Sequence, residues 1–472
     1  MSKKLIACVL AIVTLLLAFA GCKQTQEEPT DTESTREEQT GEEYYLDTLP
    51  LADSAYKDVK ICTIDSNIVL EEMPDDADSV DQKKYQRDEK LAADYGIVVS
   101  YSEIVNGQDA DEAREMLQMA LLNTDNVDMF IQQPDNLMQL AINGVAANLH
   151  TVNSLSLENE WWCQSLNDNL TINNALYITA GPVAEWYYGA VLAMAYNKRM
   201  ANDLGIGDLY TTVTSGNWTL EEMQKICTDN VIQNAEGQDC AIAFSSGVGP
   251  YGLFASAGGR FATIEEGQIV VDLASDENVQ ILEKILAAFD PAKTIYGNIT
   301  VSSESFTGGD SLFYFTTVGY MENFLPSSPI DYGIIPCPKY DTQQEEYISC
   351  SWPSSSFAVA IPSYVGGDRL EWAGLFLEAY CFLGYELIKP EKYDALVKYQ
   401  VAQDATSSEL LDIIFDNMYF DINLVSNLGG SRTFIGTTIT QGMGGYVGRY
   451  AGIVGLIQAD INKFASLTGA QE

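Results

Sequence analysis

Residues 174–206 read NALYITAGPVAEWYYGAVLAMAYNKRMANDLGI, and the organisation of the chain turns on them. An extended apolar run, Leu176 to Thr179, meets a break at Gly181-Pro182. An aromatic cluster (Trp186, Tyr187, Tyr188) and a second apolar run from Ala190 to Tyr196 follow. Two strands with a bend between them are the natural reading. Asn197-Lys198 then opens a short helical segment that stops at Gly205.

Working outward, the start of the chain reads as an export signal. Lys3 and Lys4 precede an apolar run from Leu5 to Ala20, too short and too close to the N-terminus for a membrane span. The run ends in Phe19-Ala20-Gly21-Cys22, which resembles a bacterial lipobox whose cysteine receives the lipid after cleavage, although position 19 departs from the usual Leu. The alternative is an ordinary secretory signal with an incidental cysteine. Residues 1–22 are thus expected to be a signal peptide with Cys22 as the lipidation site. The segment Lys23 to Glu43 is acidic, Thr-rich and almost free of apolar residues, so it cannot bury enough surface to fold. A tether over 23–50 is expected, holding a globular body at the outer face of the bacterial cytoplasmic membrane without a span of its own.

About 430 residues remain, more than one core usually organises, so two lobes are expected. The formal net charge is −42, from 67 acidic and 25 basic residues. Nucleic acid and anionic lipid headgroups are poor partners for such a surface, because a phosphate backbone needs net basic charge to replace its counterions. Neutral or cationic ligands fit better. Of nine cysteines, Cys8 and Cys22 belong to the leader. The others (Cys62, Cys163, Cys227, Cys240, Cys337, Cys350, Cys381) form an odd set without a Cys-x-x-Cys pair. They read as buried free thiols, with a Cys337–Cys350 bridge left open. His150 is the single histidine, which argues against a zinc site and against Ser-His or Cys-His catalysis, so no metal, cofactor or catalytic residue is expected.

The folded part alternates strands and helices. Strands are expected at Val59–Ile64, Ile97–Tyr101 and Val127–Ile131, with a helix from Asp81 to Tyr95 closed by Gly96 and another after Asp109 whose apolar residues recur at three and four. That order is a doubly wound α/β lobe with ligand-facing loops at the strand C-termini, which places Gln133 and Asp135 at a cleft edge. Farther on, Thr219 with Glu222 forms a capping box, and Trp218 just before it is expected to pack on the helix. The run Asp331-Tyr-Gly-Ile-Ile-Pro-Cys-Pro-Lys-Tyr340 must be extended with one edge unpaired, because its prolines cannot donate to a ladder. A strand is expected over Tyr347–Ala360, a buried helix over Arg369–Leu387 broken before Pro390, and mostly helix beyond, apart from a Gly-rich loop.

These features resemble the extracellular solute-binding proteins of ABC importers, in their sugar-binding family 1 branch. The resemblance rests on the crossing that ends in Tyr196-Asn197-Lys198, Leu209-Tyr210 followed by Gly216-Asn217-Trp218-Thr219, Phe306 to Tyr314, and the Asp331–Tyr340 motif. It implies a two-lobed periplasmic-binding-protein-like α/β fold of type II, with lobe 1 at 51–185 and 336–388 and lobe 2 at 186–335 and 389–472. It further implies a monomeric receptor, not an enzyme, that captures an oligosaccharide by lobe closure and delivers it to ABC permease subunits.

Sugar sites combine flat aromatics with amide and carboxylate partners. Trp186 and Trp352 are the first choices for stacking, with Asp135, Glu185 and Asn323 as hydroxyl partners. Tyr187, Tyr188, Gln133, Tyr251, Arg260 and Tyr320 complete the candidate set. Trp161-Trp162 reads either as a third platform or as a packed lid. An anchored glycoside hydrolase or lyase, and a receptor for a peptide or polyamine, are the competing readings.

Overall fold

The computed structural model describes residues 44–63, 77–103, 109–122, 126–183, 188–234, 237–245, 247–289 and 294–467. The leader with Cys22, most of the tether, and Glu185, Trp186 and Tyr187 lie outside the described residues. The chain divides into two compact units, 1–48 and 49–472. In the first, a one-turn helix spans Tyr45–Thr48, with Thr48 Oγ1 donating to the Tyr45 carbonyl at 2.6 Å.

The second unit holds two main sheets. Its strands in chain order are β1 (Asp58–Thr63), β2 (Val98–Glu103), β3 (Met129–Gln132), β4 (Leu192–Asn197), β5 (Ile242–Ser245), β6 (Thr263–Glu265), β7 (Gln268–Val270), β8 (Thr294–Gly297), β9 (Phe313–Thr317), β10 (Tyr332–Ile335), β11 (Ser349–Cys350), β12 (Ala358–Ala360) and β13 (Met418–Tyr419). The first sheet has the order β12-β3-β1-β2, and the second β10-β4-β9-β5-β8. In the first, β1, β2 and β3 are parallel and β12 runs against β3, pairing Ala358 with Gln132. In the second, β4 runs against both β9 and β10, while β5 is parallel to β8 and β9. Each sheet thus receives one reversed strand, and that strand is the one entered after a crossing: β4 after residues 180–191, β12 after 336–350.

Parallel strands with helices on both faces are buried on both faces and read as continuous apolar runs. β3, β4, β5, β9 and β10 are buried along their whole lengths. β10 is an edge strand, as the prolines after it require. Helix Ser79–Tyr95 ends on Gly96 at φ 67, a left-handed position open to glycine. Helix Leu220–Asp229 begins where Thr219 Oγ1 accepts from the Glu222 N–H at 3.2 Å, and Trp218 in front of it is fully buried with its indole N–H on the Pro336 carbonyl at 2.9 Å.

Three expectations are corrected. The run Leu176–Thr179 makes a single bridge, Thr179 to Val359, rather than a strand. The stretch 347–360 is split into β11 and β12, because Pro353 opens a 3-10 turn, Pro353–Ser355, that interrupts the ladder. The helix Asp368–Lys389 does not break before Pro390 but continues through it as a π-helix, Pro390–Val401.

Candidate functional site

Strand ends from both sheets meet around Trp352. β3 ends at Gln132, and Gln133-Pro134-Asp135 opens helix Pro134–Ile142. Proline suits that first helical position, whose N–H has no intrahelical partner. Asp135 lies in the first turn, near the positive end of the helix dipole, and its Oδ1 accepts from the Asn136 N–H at 3.1 Å. From the second sheet, β5 leads into helix Gly249–Ser256, which carries Tyr251. Ligand sites in open α/β sheets form beyond such C-terminal strand ends.

Trp352 sits between these elements on the return segment, its N–H donating to the Ala190 carbonyl at 2.9 Å. Its half-buried ring stacks on Tyr251, with centroids 4.7 Å apart and planes 28° off parallel. The guanidinium of Arg432 lies 5.6 Å from its centroid, within cation–π range. Arg432 Nη1 also donates to Asp135 Oδ2 at 2.9 Å, and Nη2 donates to the Val425 carbonyl at 3.3 Å. Ser354 Oγ donates to the same Asp135 oxygen at 2.7 Å, and its carbonyl accepts from Gln133 Nε2 at 3.1 Å. The Asp135 and Arg432 side chains are 15% and 12% exposed, so salt screens this pair less than a surface pair. Burial pushes the Tyr251 hydroxyl pKa up, with the Arg432 charge opposing it.

Arg432 is placed by an unusual turn. Asn427, Gly429 and Gly430 have φ of 50°, 58° and 74°, and a methyl group on Gly429 would collide with the backbone of Ile457. Glycine is needed there both for the left-handed backbone and for the close approach. Asn427 Oδ1 then accepts from the Arg432 N–H at 3.0 Å, starting helix Arg432–Gln441.

Of the residues expected from the sequence, Gln133, Asp135, Tyr251 and Trp352 are brought together. Others lie elsewhere. Tyr188, partly buried, stacks on Tyr393 and meets the edge of Phe415, packed against the core of the second sheet. Arg260 lies over the Tyr419 ring and donates Nη1 to the Gly259 carbonyl at 3.0 Å, lining a separate pocket of about 270 Å³ with Glu265, Asp272 and Glu277. Tyr320 and Asn323 belong to helix Val318–Phe324, which is joined to the π-helix through Glu322 and Lys392 at 2.8 Å. Trp161 and Trp162 form a packed lid: their indole N–H groups donate to the buried Glu378 carboxylate at 3.1 and 3.2 Å. A pocket of about 550 Å³ at Tyr56, Trp372 and Glu371 and another of about 530 Å³ at Lys60, Asp128 and Arg369 lie away from Trp352.

Arg432 and Ser354 escaped the sequence reading. The signal for Arg432 was present: it is one of 25 basic residues in a strongly acidic chain, and it directly follows Gly429-Gly430-Ser431. Two buried donors at the site, Arg432 Nε and Gln132 Nε2, have no acceptor among the described residues. The described residues contain no cluster of three or more His, Cys, Asp or Glu able to hold a metal, and the seven described cysteines are buried free thiols.

Two sheets joined by crossings, each with one reversed strand and with strand ends meeting between them, define a periplasmic-binding-protein-like fold of type II. UgpB from Mycobacterium tuberculosis, solved in complex with glycerophosphocholine, shares it: the likeness covers 89% of this chain and 100% of that one, at a TM-score of 0.56 and 13% identity. At that identity the likeness concerns the fold. No protein-family profile and no curated protein matches the chain.

Proposed function

We propose that this protein is the solute-binding component of an ABC importer, capturing an extracellular oligosaccharide between its lobes and presenting it to a permease. The observation that carries the reading is the half-buried Trp352 ring at the meeting point of both sheets, bordered by Arg432, Asp135, Gln133 and Tyr251. An aromatic platform beside amide, guanidinium and carboxylate groups is the chemistry that a polyhydroxylated ring requires. The resemblance to sugar receptors and the fold shared with UgpB support the same reading. Lipidation at Cys22 would hold the receptor at the membrane, where a permease can meet it.

The site also ranks the ligand classes. Arg432 Nε and Gln132 Nε2 are buried donors without an acceptor among the described residues, which favours a ligand rich in acceptors, such as hydroxyls and ring oxygens, over ammonium groups. Arg432 also stands over the Trp352 ring, where a polyamine would seek its own cation–π contact. Asp135 accepts from Arg432, Ser354 and Asn136, which suits a fixed hydrogen-bonding partner and not a glycosidase acid that must hold and release a proton.

The test is a thermal-shift screen of the chain lacking residues 1–22 against neutral oligosaccharides, with polyamines and peptides alongside. A ligand at a hundred times its Kd adds about 2.7 kcal/mol to the folded state, a rise of about 3 °C or more in a protein of this size. A rise with one sugar family, without cleavage and lost in Trp352→Ala, is the expected result. A rise with polyamines or peptides alone would replace the ligand class, and sugar cleavage would replace the receptor by an enzyme.

A further inference from the structure

The helix that begins at Asp368 changes character at Pro390, and the change has a local cause. Proline offers no N–H to the carbonyl one turn back and its ring crowds that carbonyl, so an α-helix must break, kink or widen there. Here it widens into the π-helix Pro390–Val401, a rare form that is frequent at functional sites. Both halves of this rod touch helix Ser79–Tyr95, but the buried side chains of the π half face the second lobe. The α half packs on helix Ser79–Tyr95 beside the first sheet. Tyr393, Val397 and Val401 of the π half belong to the core of the second sheet, with Tyr314, Tyr332 and Ile334. The rod is therefore a third connection between the lobes, beside residues 180–191 and 336–350.

Two bolts fasten it to the first of those crossings. On the first-lobe side, Gly384 lies so near Pro182 that a methyl group would run into the Pro182 carbonyl. The buried Arg87, whose guanidinium stacks 3.6 Å above the Tyr380 ring of the same rod, donates Nη1 to the Val183 carbonyl at 3.1 Å. On the second-lobe side, Tyr188 stacks on Tyr393 with centroids 4.9 Å apart. Between the bolts, in residues 385–392, only Ile388 is buried. Packing that would hold one helical geometry is thus least where the hydrogen-bond spacing changes.

We propose that the rotation between open and closed lobes, on which the receptor reading above rests, is concentrated at the Lys389–Pro390 junction. Backbone hydrogen bonds there pass between the α and π spacings as the lobes turn. The two bolts, at Pro182-Val183 and at Tyr188, make the ends of the first crossing follow.

The experiment places spin labels at Leu122→Cys in the first lobe and Val231→Cys in the second, both highly exposed, while the seven described native thiols are buried. Pro390→Ala restores the N–H and relieves the crowding, so the junction should settle as α-helix. The inter-lobe distance distribution should then narrow, to roughly half its width, as one arrangement is lost from the population. A distribution that Pro390→Ala leaves unchanged overturns the proposal. Amide exchange in the unaltered chain decides independently of how the variant folds: residues 386–394 should exchange about tenfold faster than 372–383, and equal rates overturn the joint. The receptor reading fails in a different experiment, the binding screen, so a chain that binds sugar yet keeps its distribution loses the joint alone.

Discussion

Two places where tryptophan meets carboxylate differ in what they leave free. At Trp161 and Trp162 both indole N–H groups end on Glu378, which also accepts from the Asn159 side chain at 2.8 Å and the Ser156 N–H at 3.1 Å. Both rings and the carboxylate are buried. At Trp352 the carboxylate of Asp135 is held by Arg432 and Ser354, the ring stays half-buried, and two donors remain unused. The same residue types therefore make a fastening in one region and, on the function proposed above, a binding surface in the other. What separates them is whether the polar groups are all consumed within the chain.

The sharpest way to break that comparison is Glu378→Ala. Two buried indole donors and two part-buried ones would lose their acceptor, at about 1–3 kcal/mol for each buried donor that finds no other partner, so a total near 4 kcal/mol is expected. Urea unfolding should read that loss, while sugar affinity of the folded fraction stays as it was. If affinity fell instead, the lid would be part of the site. Next in size is Trp352→Ala, which should cost about 100-fold in affinity, or about 2.7 kcal/mol. Calorimetric titration checks it. Little change in affinity would move the platform elsewhere, with Trp186 the first place to look. Gln133→Ala removes one contact to the Ser354 carbonyl and should weaken binding only about fivefold, near 1 kcal/mol, in the same titration.

The parts of this picture that were legible in the sequence are local ones. Gly96 at a helix end, Thr219 three residues before Glu222, and two prolines after an apolar run each carry their own stereochemistry, and each does in the structure what that stereochemistry requires. Gln133 and Asp135 were legible because β-α-β order alone puts them at a strand end. Arg432 was not, because its partner Asp135 is 297 residues away. Of the aromatic cluster near the first crossing, Tyr188 misled for the same reason. Tyr188 looks receptive until Tyr393 and Phe415, from late in the chain, cover it. Pro390 reads as a stop from any local rule, and only packing on both sides lets the helix widen and continue.

A second acid–base pair, away from Trp352, shows what pairing alone contributes. Lys198, just after β4, pairs with Asp404, whose carboxylate also accepts from the Ser407 N–H at 2.8 Å and the Tyr210 hydroxyl at 2.7 Å. Partial burial alone would raise the Asp404 pKa, but the hydrogen bonds from Lys198, Ser407 and Tyr210 outweigh it and hold the value below the usual carboxylate range. The depressed folded value fixes the sign. Such a group binds fewer protons folded than unfolded, so its contribution is fully present above the unfolded carboxylate pKa of about 3.9 and disappears as pH falls through the lower folded value. Asp404→Asn should therefore lower the melting temperature by about 1 °C at pH 7, as partly exposed pairs do, and the difference from the unaltered chain should shrink below about pH 4. Sugar affinity at pH 7 should not change, because Asp404 supports the second lobe from outside the Trp352 site. A loss of affinity with the same small loss of stability would mean that the second lobe transmits changes at its rim to the ligand, and the two kinds of carboxylate could no longer be told apart by position alone.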